Sequence, residues 1–261
     1  MGSLAGKSPA NTYKSLLKVA DETNGVSATA SQIQDGEGTN TCLSISDDVF
    51  VVQPQNDNTA TTVLVKNAAG DRIFSVDTSN TLIKIGSTST PANSQILEFH
   101  ARNLIPASSG THYFISRPDA SYFGSAVETS MGTGTDPDTS LDAGATTDDL
   151  LQNIFIVPVN STIDACKFMV STSTDTDTTI NVHLYSYDIK NVGATNDGLL
   201  TNGTLLANGQ ATSVDRNCIK TVTCTIDSAS VSANKVIACF VENETNTDAI
   251  FLQTQVLYHF D

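Results

Sequence analysis

Val63-Leu64-Val65-Lys66, Ile73-Phe74-Ser75-Val76 and Leu82-Ile83-Lys84-Ile85 are three short runs in which apolar side chains recur at every second position or nearly so. A period of two is that of an extended chain, whose side chains alternate between faces. Residues 67–71 (Asn67-Ala68-Ala69-Gly70-Asp71) and 77–80 (Asp77-Thr78-Ser79-Asn80) separate the runs. Both are turn clusters, in which Gly supplies positive φ and Asx side chains bond their own backbone. Residues 63–86 are therefore predicted to form a three-stranded antiparallel meander.

Toward the N-terminus, Leu43 and Ile45 alternate with Ser44 and Ser46, which predicts another short strand. Residues 12–20 suit either one short helix or an extended arm. The first ninety residues hold too few large apolar side chains for a good independent core. Oligomerisation is the remedy open to such a segment, since each copy then buries its apolar face against its neighbours.

Toward the C-terminus the predicted strands lengthen. Ile154-Phe155-Ile156-Val157-Pro158-Val159 is nearly all apolar and reads as a strand buried on both faces. Further strands are expected at 163–170, 180–189, 219–226, 235–241 and 250–260. Residues 128–149, rich in Gly, Thr and Asp, read as an exposed loop, and 191–209, with four glycines, as another. The expected fold is all-β: an N-terminal meander and oligomerisation region (trimerisation, by the resemblance given below), then a C-terminal antiparallel β-sandwich, jelly-roll-like. The expected divisions are an arm at 1–40, short strands at 41–95 and the sandwich at 96–261.

Composition narrows the function. Thirteen Lys and Arg against 28 Asp and Glu give a net charge of −15, so no basic face exists for nucleic acid or an anionic membrane. Only 16% of residues are charged; 35 Thr, 27 Ser and 20 Asn take the place of the missing charge. No apolar run approaches the roughly 18 residues of a membrane span. The first seven residues carry no secretory signal, and the cysteine usage implies synthesis in a reducing cytoplasm. The five cysteines show no Cys-x-x-Cys spacing, and Cys42, Cys166 and Cys239 sit in apolar runs. They read as reduced, buried, structural thiols. The four histidines (His100, His112, His183, His259) are widely spread and none adjoins a cysteine, so no metal site and no cofactor is expected.

Two constellations remain. The loop at 128–149 carries Asp136, Asp138, Asp142, Asp148 and Asp149, but its spacing fits no EF-hand or nonapeptide calcium repeat, and it reads as a solvated acidic loop. On the strand at 180–189, His183, Tyr185 and Tyr187 share one face while Val182 and Leu184 take the other. That row is the candidate ligand or subunit contact; its bland alternative is packing on an outer or second core face. No nucleophile elbow, zinc-protease motif or phosphate loop is present, and no catalytic residue is nominated.

The stretches Thr12-Tyr13-Lys14-Ser15-Leu16-Leu17-Lys18-Val19, Asn24-Gly25-Val26-Ser27-Ala28-Thr29, Gln34-Asp35-Gly36-Glu37-Gly38-Thr39 and Leu43-Ser44-Ile45-Ser46 together resemble the N-terminal segment of tailed-bacteriophage virion proteins. Residues 63–77 are similar to the short-strand shaft units of that class, and Ile156-Val157-Pro158-Val159 looks like a strand of its distal domains. The resemblance implies a homotrimer on the virion surface, anchored to a capsid or tail protein by its N-terminal half and displaying the sandwich outward, as capsid decoration or as a fibre meeting a host-surface glycan. It carries over no binding residues. The competing readings are a polysaccharide depolymerase or a carbohydrate-binding module on the same scaffold.

Overall fold

The computed structural model describes residues 16–21, 23–86, 91–118, 130–140, 150–151, 153–189 and 200–261. It divides into two units, residues 1–92 and 93–261. The fold is all-β and the strand pairing is antiparallel throughout.

The first unit holds two small sheets. One joins β1 (Lys18–Val19), β2 (Ser31–Gln34), β3 (Asn40–Ile45) and β4 (Phe50–Val52) in chain order. The other is the expected meander of β5 (Val63–Lys66), β6 (Arg72–Asp77) and β7 (Leu82–Ile85). Its first turn closes through the Asn67 amide to the Asp71 carbonyl at 2.9 Å, with Gly70 at φ +93° where a side chain would strain. Its second turn is held by Asp77, which accepts from the Asn80 amide at 3.0 Å and from Lys84 Nζ at 2.7 Å.

Cross-strand register puts Val63 opposite Val76, Val65 opposite Phe74, Phe74 opposite Ile85 and Val76 opposite Ile83. Paired residues share a face. One face of the meander is therefore six large apolar side chains wide, and none of the six is buried. Among the described residues of this unit, Ser46, Ser75, Asp77 and Pro91 are the buried ones, and no large apolar residue joins them.

The second unit is a sandwich of two sheets. The first sheet runs β10 (Ile154–Ile156), β17 (Val236–Asn243), β12 (Thr178–Ile189), β13 (Leu200–Val214), β15 (Thr225–Ile226), with β9 (His112–Phe114) also on β17. The second runs β14 (Lys220–Thr223), β11 (Ser161–Thr172), β18 (Ile250–Phe260), β8 (Ser94–Leu104), with β16 (Ser230–Val231) also on β11. Val182, Leu184, Cys239 and Val241 of the first sheet meet Phe99, Phe168, Val170 and Val256 of the second in one buried core.

Four expectations need correction. Residues 200–209 are not loop but the first part of β13, the longest strand. Its glycines permit close approach: a Cβ on Gly203 would stand 2.6 Å from the Tyr187 ring and 2.9 Å from Thr139 Cα. Residues 154–159 are not buried on both faces, because β10 is a sheet edge, leaving Ile156 and Val159 exposed. Cys42 is exposed, whereas Cys166 and Cys239 are buried in the core. Cys166 is pushed up by its hydrogen bond with Cys224 and by burial, and Cys239 by burial, which leaves both unreactive. Within the expected exposed loop, residues 130–140 are described; Met131 and Pro137 are buried there while Thr133–Asp136 remain exposed. Asp142, Asp148 and Asp149 lie outside the described residues.

Candidate functional site

Every residue of β17 is buried, and so is most of β12. A sandwich sheet with one solvated face would alternate. The outer face of this sheet carries a second core instead: Tyr185 and Tyr187 from β12, Val236, Ala238 and Phe240 from β17, and Phe114 from β9, covered by Met131 and Leu150. The Phe114 and Phe240 rings lie 4.6 Å apart, and Tyr185 and Tyr187 stack at 5.7 Å. Residue 131 is pinned there by backbone pairing with His112, and Tyr187 Oη donates to the Asp138 carbonyl at 2.9 Å.

This corrects the aromatic row. Tyr185 and Tyr187 are packing residues with no surface to offer, because the 130–138 segment lies over the face they share. Burial, reinforced by Asp136, raises the Tyr185 hydroxyl to about 12, and burial with Tyr185 beside it raises Tyr187 further. His183 alone of the three reaches a cleft.

That cleft has a volume of about 610 Å³ and opens where the second core ends. Register builds its floor. Glu242 of β17 lies opposite Asn181 of β12 on one side and opposite His112 of β9 on the other. One row along the same face, His183 lies opposite Phe240. His112, His183 and Glu242 thus converge, their ligand-type atoms all within 4.8 Å of one another, and all three are buried. The two imidazole rings meet edge to face at 4.9 Å.

Hydrogen bonds fix the surroundings. His112 Nδ1 lies 3.3 Å from the Gly132 carbonyl, which can only accept, so Nδ1 carries the proton and Nε2 is free to point at Glu242 Oε2, 3.6 Å away. Asn181 Nδ2 donates to Glu242 Oε2 at 2.7 Å, and Gln210 Nε2 donates to Asn181 Oδ1 at 2.9 Å. Asp136 Oδ1 stands 3.5 Å from His183 Nδ1. Burial, with His112 adding to it, pushes His183 down to about 4 against the opposing pull of Asp136. His183 is therefore a neutral imidazole at neutral pH, able to offer a lone pair.

Sequence reasoning nominated His183 but missed His112 and Glu242. No local signal marks them, since three separate strands must pair in the observed register before they meet.

No protein-family model matches this chain, and no curated protein sequence does. Solved structures with a partial likeness include an aminopeptidase from the marine sediment archaeon Thaumarchaeota archaeon, at 10% identity and a TM-score of 0.31, covering 73% of this chain. The match spans 39% of that aminopeptidase chain. Another is the empty head of turnip yellow mosaic virus, at 9% identity and a TM-score of 0.22, covering 66% of this chain and 84% of that one. Likenesses of this size carry no functional argument.

Proposed function

We propose that this chain is a non-enzymatic structural protein of a bacteriophage virion surface. It works as a homotrimer, held to the particle through its N-terminal half and displaying its sandwich outward. The observation that carries the proposal is the unburied apolar face of the meander: Val63, Val65, Phe74, Val76, Ile83 and Ile85. Fully burying such a side chain stabilises a fold by about 1.5–3 kcal/mol, and a single chain leaves much of that gain unrealised at Val65, Ile83 and Ile85, which are exposed. Identical copies present the same face, so packing them together covers all of it at once. The threefold count comes from the resemblance of residues 63–77 to viral shaft units.

Light scattering on the purified chain tests the assembly. The expected mass is three times the 27.5 kDa of one chain. A monomer at micromolar concentration with an intact meander overturns it. Imaging of labelled particles tests the location, with density at the capsid favouring decoration and density at the tail favouring a fibre.

One observation favours the hydrolase reading: Asn181 Nδ2 lies 2.7 Å from Glu242 Oε2 and 3.4 Å from Glu244 Oε2, so two carboxylates flank one amide in an open cleft. Reproducible new reducing ends from host-cell glycan, lost in Glu244→Gln, would replace the structural proposal with that one.

A further inference from the structure

The floor of the cleft contains an electrostatic problem that packing does not solve. His112 Nε2 faces Glu242 Oε2 at 3.6 Å, with the His112 proton committed to the Gly132 carbonyl on the far side of the ring. In the neutral ring, two electron-pair donors face each other across that gap. His183 adds two more ring nitrogens with no hydrogen-bond partner, and His112 Nε2 likewise has none. The side chains of His112 and His183 are 0% and 7% exposed, and that of Glu242, 6% exposed, reaches the edge of the cleft. Unpaired buried polar groups cost about 1–3 kcal/mol each, and more for a charged one. Among the described residues, no lysine or arginine lines the cleft. A cation at the centre of the three would serve Glu242, His112 Nε2 and one of the two His183 nitrogens.

We propose that His112, His183 and Glu242 bind a divalent transition-metal ion of the zinc class. Two neutral imidazoles and a carboxylate are a donor set that zinc takes. Bonds of about 2.0–2.2 Å in a tetrahedron place ligand atoms roughly 3.3–3.6 Å apart. The His112 to Glu242 separation already has that value, and binding would draw in the His183 ligand atom, which lies within 4.8 Å of both.

The outer supports are those of a metal site. Gly132 fixes the His112 tautomer, Asn181 orients Glu242, Gln210 orients Asn181, and the Asp136 carboxylate stands beside His183. Three protein ligands leave one position, and since His183 and Glu242 line the cleft, that position opens toward it. The inference is independent of the assembly proposed above: it concerns residues of the second unit alone and stands for a monomer as well as a trimer.

The test uses the full chain, stripped with chelator and held in excess magnesium to occupy the many surface carboxylates. Titration with zinc chloride is expected to give one ion per chain and a rise in melting temperature, since the ion binds only the folded cluster. Cobalt chloride is expected to give the strong visible absorption of a four-coordinate site. His183→Gln and Glu242→Gln should each weaken zinc binding more than tenfold, and Asn181→Ala roughly tenfold through loss of orientation. Should a variant misfold, the cobalt spectrum of the unaltered chain still decides. Absence of saturable one-to-one binding, or a weak six-coordinate cobalt spectrum, overturns the proposal. Equal affinity in the folded His183→Gln chain does so too, by making the ion adventitious. A histidine pair that merely holds a proton against Glu242 would show no zinc-dependent rise in melting temperature.

Discussion

Ile85 and Phe168 both lie in antiparallel strands, yet Ile85 is 59% exposed and Phe168 is 1% exposed. The contrast runs through the two units. In the second, apolar residues fill a core between two sheets and another on the outer face of the first sheet. In the first, the best-buried side chains include a carboxylate and two serines, while Phe50, Ile83 and Ile85 face outward. Both units draw on the same alternation of apolar and polar residues. What separates them is layers: an apolar sheet face needs a second element over it, and the seven described strands of the first unit, of at most six residues each, do not provide one. The second unit contains its own second layer. The described residues of the first unit do not.

Substitutions can break this comparison. The largest effect is expected for Phe168→Ala, which opens a cavity in the main core and should cost about 3–5 kcal/mol in denaturant unfolding. Ile83→Ser with Ile85→Ser should leave sandwich unfolding unchanged and instead reduce the assembled mass in light scattering. If the sandwich loses as much stability from these serines as from Phe168→Ala, the two units are not different in kind.

A smaller loss tests the second core. Gly203→Ala drives a Cβ against the Tyr187 ring and the Thr139 backbone, and the backbone cannot swing aside. A cost of about 1–3 kcal/mol is expected, read from the urea midpoint. Tyr187→Phe keeps the ring but removes the bond to the Asp138 carbonyl. A cost of about 1 kcal/mol is expected, with faster hydrogen exchange at the Asp138 amide.

The last test belongs to the meander. Lys84, foremost, and then Asn80 hold the Asp77 carboxyl down to about 2, below its ordinary value of 3.8. A carboxyl whose folded value is depressed lends stability above its unfolded value and loses it as pH falls through the folded one. Protection of the amides at 63–86 should therefore decline from about pH 4 down to about pH 2. In Asp77→Asn that part of the decline should vanish. An unchanged pH profile would show that the ion pair contributes nothing to the meander.

The sequence carried more of the first unit than of the site. Alternation at 63–86 and the Asn67, Gly70 and Asp77 turn chemistry sufficed for the meander, because strand period and turn conformation are local properties. Strand β13 was hidden by its glycines, which mark loops in a local reading and close packing in the folded chain. Strand β8 went unpredicted although Leu97, Phe99 and Ala101 alternate with Glu98, His100 and Arg102.

The chain's residues by themselves determine an all-β protein with a small apolar meander and longer strands after it, since period and turn residues act over a few positions. The tertiary structure alone decides which face of β12 is dry, why Tyr185 and Tyr187 are core, and that His112, His183 and Glu242 meet. Those outcomes depend on the register of three strands distant in sequence, and a shift of one residue would point each side chain the other way.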